Sequence, residues 1–467
     1  MLFNSLQFFV FFIIVTIWYF QLPHKFRWFL LLVASCYFYM SFVPVYILIL
    51  GGTIIIDYFA GIYLEKIQGN KKRYFLIISL IANVGILAVF KYYNFLNFNI
   101  AKLASLFSST TPLPYLEILL PIGLSFHTFQ AMSYTIEVYR GNQKAEKHFG
   151  IYALYVMFYP QLVAGPIERP QNVLHQFHEK HAFDLEKLKL GLMQMAWGFF
   201  KKMVIADRLA IAVDSAYTDP QHQSGLTLLF ATFFYSFQIY CDFSGYSDIG
   251  IGAAKCMGFD LMKNFNSPYL STTISDFWRK WHISLSSWFK DYLYIPLGGN
   301  RVNKYRAMFN LFFVFLISGL WHGANWTFII WGALHGIFLV VENAFRKNVK
   351  LAESASLNFI TLLKGALVFT LVSFAWIFFR SPNLSTANIV IKRIANLNIH
   401  DKIDLQLNTQ EIAFSLLLIL TLLYKEKVYP SFLIKNNYIW TIVISVTLFS
   451  CYIFGVFGNK QFIYFQF

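Results

Sequence analysis

The chain has 467 residues, of which 57% are hydrophobic and only 13% are charged. This balance excludes an ordinary soluble domain, in which about a quarter of the residues are charged. Lys and Arg outnumber Asp and Glu by 38 to 23, for a net charge of +15. In a membrane protein, such an excess indicates cytoplasmic loops that contact anionic lipid headgroups, so no nucleic acid is needed as a partner.

The apolar residues come in repeated runs that predict many membrane-spanning helices. A bilayer core of about 30 Å needs roughly 20 apolar residues per helix, so the chain length allows about 11 spans. Some of the candidates are short or broken. They lie near residues 3–20, 27–43, 45–64, 74–90, 117–138, 149–163, 188–213, 225–253, 307–320, 325–342, 357–379, 411–424 and 438–457.

Loop charges predict the orientation of these spans. Basic residues cluster at 24–27 and 66–73, after the first and third spans, which places both loops in the cytoplasm and the N-terminus outside. Residues 1–20 lack a basic leader and a cleavage site, so we expect a retained span. We expect one all-α membrane domain over residues 1–467, with a catalytic core near 115–340 and a distinct tail at 460–467.

Two segments of the middle third do not have the composition of simple spans. Residues 158–170 contain three prolines in an apolar setting, and non-helical backbone at membrane depth is tolerated only inside protein or around a water-filled cavity. We therefore expect re-entrant segments that line a cavity. Residues 277–301 mix aromatic and charged side chains, which predicts a segment lying along the cytoplasmic interface.

Two histidines are candidates for acyl-transfer chemistry. His322 ends an apolar run, and a buried neutral imidazole can take the proton of a hydroxyl that attacks a thioester. The alternative is a hydrogen-bonded histidine that packs helices together. His282, in the interfacial segment, is a second candidate that could bind the substrate or polarise the thioester carbonyl, although interfacial packing also explains it.

Basic side chains could receive an anionic donor. Lys201 and Lys202 interrupt an apolar run, and with Arg279, Lys280 and Arg301 they could ring a cytoplasmic mouth that binds acyl-CoA. The alternative for each residue is an anchor to lipid headgroups.

Other polar residues receive structural or lining roles. His127 and Asn325 are predicted to line the cavity, although His127 could equally be a packing histidine. Asp242 is predicted to line the cavity or to make a structural polar contact within its span. The histidines of residues 175–181 are spaced i, i+3 rather than in the i, i+4 zinc pattern, which favours a solvated loop, and the four scattered cysteines predict neither a disulfide nor a zinc site.

Five motifs in order carry a resemblance to a known family. They are PIGLSFHTFQ (121–130), LVAGPIERP (162–170), YCDFSGYSDIGIG (240–252), FWRKWHISLSSWFKDYLYIPLGGNR (277–301) and LWHGANW (320–326). The chain resembles the membrane-bound O-acyltransferases, and among them the branch of alginate O-acetylation, whose relatives act in peptidoglycan and cellulose acetylation and in D-alanyl transfer to teichoic acid. The resemblance implies helices around a central tunnel, with His322 as the catalytic histidine and His282 as the second polar residue.

The final residues, FIYFQF, contain one ionisable side chain, the phenol of Tyr464. Composition alone favours an anchor at the membrane interface. The likeness to the FIYxxF tail of this branch implies instead an acyl relay, in which His322 deprotonates Tyr464 and the phenol attacks an acetyl thioester. The resemblance also implies that a serine of a periplasmic partner takes the acetyl group and that the tail faces the periplasmic side.

The sequence thus favours an enzyme of the bacterial inner membrane. The expected reaction moves acetyl from cytoplasmic acetyl-CoA toward an alginate-like exopolysaccharide or peptidoglycan, with an SGNH-type periplasmic acetyltransferase or acyl-acceptor protein as partner. No permanently bound cofactor or metal is expected. The alternatives are D-alanyl transfer from a carrier protein to teichoic acid, and a transporter without covalent chemistry.

Overall fold

Long apolar runs separated by short polar turns give a helical chain, with no strand in the residues that the structure describes. The computed structural model describes residues 1–107, 113–116, 121, 123–346, 359–457 and 462–465. The chain forms two compact units. Unit 1 comprises Met1–Met195 and Ser247–Met262, and unit 2 comprises Ala196–Tyr246 and Lys263–Phe467.

Unit 1 contains the first nine α-helices. They are α1 (Leu6–Gln21), α2 (His24–Met40), α3 (Tyr46–Lys66), α4 (Lys72–Leu87), α5 (Tyr93–Ser105), α6 (Leu124–Arg140), α7 (Phe149–Met157), α8 (Tyr159–Leu162) and α9 (Pro170–Val173). The expected irregular segment at 158–170 is confirmed, because α7 ends at Met157 and only short helices follow it. Its re-entrant position in a membrane stays a prediction.

The next helices lead into unit 2. They are α10 (Leu185–Phe199), a π-helical turn (Phe200–Ala206), α11 (Asp207–Thr218) and α12 (Gly225–Cys256). A π-turn adds one residue to a helical turn and leaves backbone groups available for other partners. Residues 185–218 therefore form one long helical stretch, where the sequence predicted a span at 188–213.

Unit 2 holds the remaining helices. They are α13 (Ile274–Lys280), α14 (Ile283–Phe289), α15 (Lys304–His322), α16 (Trp326–Arg346), α17 (Phe359–Arg380), α18 (Leu384–Ala395), α19 (Thr409–Val428) and α20 (Asn437–Phe454). The 277–301 segment, expected at the interface, consists of α13, α14 and a π-turn (Lys290–Tyr294). Its contact with a membrane surface stays a prediction.

Six helical stretches of the described residues are long and apolar enough to cross a bilayer. They are Tyr46–Lys66, Gly69–Ser105, Gly225–Cys256, Trp326–Phe345, Phe359–Arg380 and Asn437–Phe454. The protein is therefore a multi-pass membrane protein, and the larger number of about 11 spans stays a prediction. The candidate span at 117–138 began too early, because α6 starts at Leu124 after a left-handed Gly123; its residues 117–120 and 122 lie outside the described residues.

Helices α15 and α16 pack as a close hairpin because glycines face each other. A Cβ on Gly332 would lie 2.3 Å from the carbonyl oxygen of Phe315, and one on Gly319 would lie 2.2 Å from that of Phe328. Small residues let helix backbones approach closely and gain van der Waals contact, which is the main packing force between helices in lipid. The hairpin fixes His322, the last residue of α15.

Replacing Gly332 by valine is expected to destabilise unit 2 by about 1–3 kcal/mol, because the added methyl groups must push the two helix backbones apart. The rate of acyl transfer should also fall, because the hairpin holds His322. Thermal unfolding in detergent and an acyl-transfer assay measure both effects. Gly365→Ala in α17 is the matched control, because its Cβ would meet its nearest atom at 3.8 Å. An unfolding temperature for Gly332→Val equal to that of the wild type would contradict this account of the hairpin.

Candidate functional site

His322 lies at the turn of the α15–α16 hairpin and is surrounded by aromatic rings. It is only 4% exposed. Its ring centroid lies 4.9 Å from that of Trp331 and 5.3 Å from that of Phe379, both in edge-on geometry. These rings exclude water and fix the orientation of the imidazole, which is the setting that a general base in lipid requires.

Tyr464 lies directly against this histidine. It belongs to a short 3₁₀ turn, Ile463–Phe465, and its ring centroid is 5.7 Å from that of His322. Its hydroxyl oxygen is buried. Burial raises the pKa of the Tyr464 phenol well above its usual range, and the nearby Tyr235 and Asp242 raise it further. The phenol is therefore protonated at neutral pH, so it needs a base to become a nucleophile.

His282 completes the group from a different element. Its backbone has a φ of 45°, a left-handed conformation that is rare for a residue with a side chain. Asn264 holds the residue, because its Oδ1 lies 3.1 Å from Nδ1 of His282 and its carbonyl oxygen accepts a hydrogen bond from the N–H of Ile283. Burial lowers the pKa of His282 to about 3, so the ring is neutral.

The bond to Asn264 selects one tautomer of His282. A carboxamide oxygen accepts, so Nδ1 carries the proton and Nε2 keeps the lone pair. Such a ring accepts a hydrogen bond from a substrate N–H or O–H, whereas polarising a carbonyl needs a donor. Of the two roles expected for His282, the geometry therefore favours substrate binding.

Phe243 of α12 contacts two of these residues, Tyr464 and His282. Its ring centroid lies 4.3 Å from that of Tyr464 and 4.6 Å from that of His282. The sequence analysis did not single out Phe243, Asn264 or Trp331, because one apolar or amide side chain among many carries no signal before the fold brings it to the histidines.

The expected ring of basic residues is only partly formed. Lys201 and Lys202 are buried, at 3% and 1% exposure, where an exposed mouth was expected. Nζ of Lys201 donates to Oγ of Ser244 at 2.8 Å, and Nζ of Lys202 lies between Asp207 and Asp242. Both ammonium groups are bound by other side chains inside the protein. The predicted contact with a lipid headgroup or with the acyl donor is therefore wrong for Lys202, and no contact among the described residues supports it for Lys201.

The other basic residues lie at the surface of unit 2. Arg279 and Arg301 are exposed, and Nζ of Lys280 pairs with Asp276 at 2.7 Å. Arg279 and Lys290 line a cavity of about 400 Å³, a volume within the range of small-molecule sites. Its remaining walls are mainly apolar and include Trp278. Donor binding by Arg279, Lys280 and Arg301 stays a prediction.

Aromatic side chains in contact with one another lie between this cavity and His322. Trp278 lines the cavity and donates through Nε1 to Nδ1 of His335 at 3.3 Å. The ring of Trp331 lies 5.8 Å from that of Trp278 and also contacts His322. Two tryptophan rings, those of Trp278 and Trp331, thus follow one another between the cavity and His322.

The remaining predicted residues take other positions. His127 lies in unit 1, with Nε2 3.4 Å from Oγ1 of Thr53. Asn325 accepts from the N–H of Thr327 at the start of α16 and donates to the carbonyl oxygen of Pro382. Lining roles for both stay predictions. Asp242 is buried in unit 2 and contacts the tail.

The histidine-rich loop in unit 1 is partly solvated, as expected. His175 and His178 are exposed and lie near Glu179 and Glu146, whereas His181 is half-buried. Within the described ranges, no three His, Cys, Asp or Glu side chains form a group that could hold a metal ion.

Comparison with known proteins identifies a family and several relatives. The model of the membrane-bound O-acyltransferase family matches residues 142–380, a stretch that contains Asp242, His282 and His322. The chain is 40% identical to the probable alginate O-acetylase of Pseudomonas aeruginosa over 79% of its own length and 70% of the relative. It is 39% identical to the peptidoglycan O-acetyltransferase of Helicobacter pylori, over 79% and 73%. The teichoic acid D-alanyltransferase of Bacillus subtilis is 28% identical, over 55% and 68%.

Proposed function

The chain belongs to the membrane-bound O-acyltransferase family, and we propose that it transfers acetyl from cytoplasmic acetyl-CoA, through Tyr464, toward an extracytoplasmic polysaccharide. Family membership favours an enzyme over the transporter considered from the sequence. The single observation that carries the proposal is the contact between the rings of Tyr464 and His322 inside a buried aromatic site. The similarity to two named O-acetyltransferases over most of the chain supports acetyl as the transferred group.

The chemistry runs in two balanced steps. The oxygen of Tyr464 attacks the carbonyl carbon of the thioester while its proton passes to His322. The C–S bond breaks, a phenyl ester forms, and the imidazolium returns the proton to the departing thiolate. An acceptor hydroxyl then attacks the ester carbonyl, the C–O bond to Tyr464 breaks, and the proton of the acceptor hydroxyl passes to the phenolate, which restores the phenol. Two short transfers replace one transfer across the thickness of the membrane.

The cavity beside α13 is the proposed donor site. Arg279 and Lys290 supply positive charge for the phosphates of CoA, and the apolar walls suit the pantetheine chain. The acetyl end then passes the rings of Trp278 and Trp331 to reach Tyr464 and His322. In this arrangement His282 accepts a hydrogen bond from an amide N–H of the donor.

The acceptor side is proposed to face the periplasm. An SGNH-type acetyltransferase or another acyl-acceptor protein would take the group from Tyr464 through a serine hydroxyl and pass it to alginate-like polysaccharide or peptidoglycan. This requires an inner-membrane protein with an extracytoplasmic N-terminus, as the loop charges predict.

Incubation of the detergent-purified protein with radiolabelled acetyl-CoA tests the proposal. Covalent label mapped by peptide mass spectrometry to Tyr464 is the expected result. Label that appears only when a D-alanyl carrier protein is the donor would replace acetyl by D-alanyl transfer. No label from either donor, with the donor unconsumed, would overturn the relay.

Arg279→Ala is expected to raise the KM for acetyl-CoA about 10-fold, equivalent to about 1.4 kcal/mol, with little change in kcat. The reason is the loss of one phosphate contact that ground state and transition state share. Steady-state release of CoA measures both constants. Arg306→Ala is the control, because Arg306 is an exposed arginine outside the cavity lining. An unchanged KM in Arg279→Ala would remove the cavity from the donor site.

A further inference from the structure

A buried ionic cluster lies beside the tail in unit 2. Nζ of Lys202 is 2.8 Å from Oδ1 of Asp207 and 2.6 Å from Oδ1 of Asp242, and all three residues are at most 3% exposed. Charges removed from water are costly unless they are paired and hydrogen-bonded. A buried cluster of this kind is therefore expected to hold a neighbouring part of the protein in place.

The cluster contacts the tail through Asp242. Its second carboxylate oxygen, Oδ2, accepts a hydrogen bond from the backbone N–H of Ile463 at 2.7 Å, in a fully buried position. Ile463 immediately precedes Tyr464. One oxygen of Asp242 is thus held by Lys202 and the other by the tail, so the position of the carboxylate sets the position of the tyrosine backbone.

Helix packing brings Lys202 to Asp242. A Cβ on Gly245 would lie 2.8 Å from the carbonyl oxygen of Gly198, so only glycine allows α12 to approach the end of α10 this closely. Lys202 itself lies in the π-turn Phe200–Ala206. The same turn presents the carbonyl oxygen of Met203, which accepts a hydrogen bond at 3.0 Å from the N–H of Val456, beyond the end of α20. The chain before the tail is therefore fastened to the same turn.

Ring contacts place the tail side chains along α12. Phe462 stacks on Tyr246 at 4.5 Å and 21°, and Tyr464 packs on Phe243 at 4.3 Å. Asp242, Phe243 and Tyr246 lie on adjoining positions of one helix, where residues four apart face the same way. Ring stacking alone does not fix which tail residue lies beside which residue of α12, because stacked rings can slide past one another. The directional bond from Ile463 to Asp242 fixes this pairing.

We propose that Asp242 is a positioning residue for the acyl relay, with Lys202 as its counterion. It fixes Ile463 and so holds the ring of Tyr464 against that of His322, and it touches neither donor nor acceptor. The proposal rests on the proposed function of Tyr464. Of the two roles expected from the sequence, lining and a structural polar contact, it is nearer the second, because the carboxylate serves the protein's own backbone.

The test measures the rate at which the full-length protein acquires label at Tyr464 from saturating radiolabelled acetyl-CoA. Asp242→Ala is expected to slow labelling about 10- to 100-fold, the usual effect of losing a hydrogen bond to a charged group, with a KM for acetyl-CoA within about two-fold of wild type. Asp242→Asn keeps an oxygen that can accept from Ile463 but loses the charge, so it should fall between. Asp219→Ala, which removes an exposed aspartate of the same unit, is the control and should label at the wild-type rate.

Carboxypeptidase digestion of the same proteins reports the tail directly. In the wild type, the carboxypeptidase should leave Ile463 on the chain. In Asp242→Ala it should remove Ile463 as well. Wild-type labelling by Asp242→Ala, or slow labelling with a tail that resists digestion as in the wild type, would overturn the proposal. If Asp242→Ala does not fold, the same measurements are made on Asp242→Asn. Slow labelling together with a more digestible tail would support the positioning role of Asp242. Labelling at the wild-type rate would overturn that role. Failure of the relay itself has a different signature, because the wild type would then carry no label at Tyr464 while digestion still reports whether Asp242 holds the tail.

Discussion

Replacing His322 by alanine is expected to lower the rate of acetyl transfer from acetyl-CoA by about 10²- to 10⁴-fold, the usual contribution of a positioned general base. The pKa of the buried Tyr464 phenol lies well above its ordinary range, so without a base almost no phenolate is present to attack the thioester. Single-turnover labelling of purified protein measures the loss. The KM for acetyl-CoA should change little, because the proposed donor cavity does not include His322.

His175→Ala is the matched control for this experiment. His175 is an exposed histidine in unit 1, paired only loosely with Glu179 at 3.8 Å, and its loss should leave labelling and transfer unchanged. Thermal unfolding must show that His322→Ala remains folded, because the ring packs against Trp331 and Phe379. A folded His322→Ala that transfers acetyl at the wild-type rate would assign the base to another residue, with His282 the next to be tested.

Replacing Tyr464 by phenylalanine is expected to abolish covalent labelling and to reduce transfer to the acceptor by at least about 10³-fold, because the oxygen that carries the acetyl group is gone. The phenyl ring preserves the packing on Phe243 and Phe462, so the fold and donor binding should persist. Mass spectrometry of the labelled protein and acetyl release to an added acceptor measure the two losses separately.

Tyr438→Phe is the control for this change, since Tyr438 is 83% exposed on α20 and should not affect either step. Two outcomes would distinguish the acyltransferase activity itself from the relay through Tyr464. Transfer that survives Tyr464→Phe but not His322→Ala would keep the acyltransferase and remove the tyrosyl ester. Loss of transfer with label still present elsewhere would identify a different carrier residue.

Much of the fold could be predicted from composition and periodicity. Apolar runs of about 20 residues can satisfy their backbone in lipid only as helices, so the all-α class followed from the sequence. Prolines marked the break after Met157, because a proline cannot continue a helix without losing a hydrogen bond. The start of α6 could not be predicted, because Pro121 and Gly123 lie inside an otherwise apolar run.

The candidate site was only partly predictable. His322 stood out because an imidazole is costly in apolar surroundings, whereas His282 and Tyr464 were chosen mainly by the resemblance to the family's motifs, since composition alone favoured interfacial roles for both. Lys202 was misassigned to a surface mouth. A lysine inside an apolar run has the same sequence signature whether it reaches lipid headgroups or a buried carboxylate.

The sequence by itself determined the residue types that can do the chemistry and the helical elements that carry them, because burial cost and backbone hydrogen bonding act locally along the chain. Only the tertiary structure decided which of these residues meet. Tyr464 lies 142 positions after His322 and 182 after His282, yet its ring centroid is 5.7 Å from that of His322 and 6.4 Å from that of His282. Their meeting depends on the α15–α16 hairpin, on the left-handed turn at His282 and on the bond from Ile463 to Asp242. Each of these joins residues far apart in the chain, and such pairings are set by packing and directional hydrogen bonds that no local pattern records.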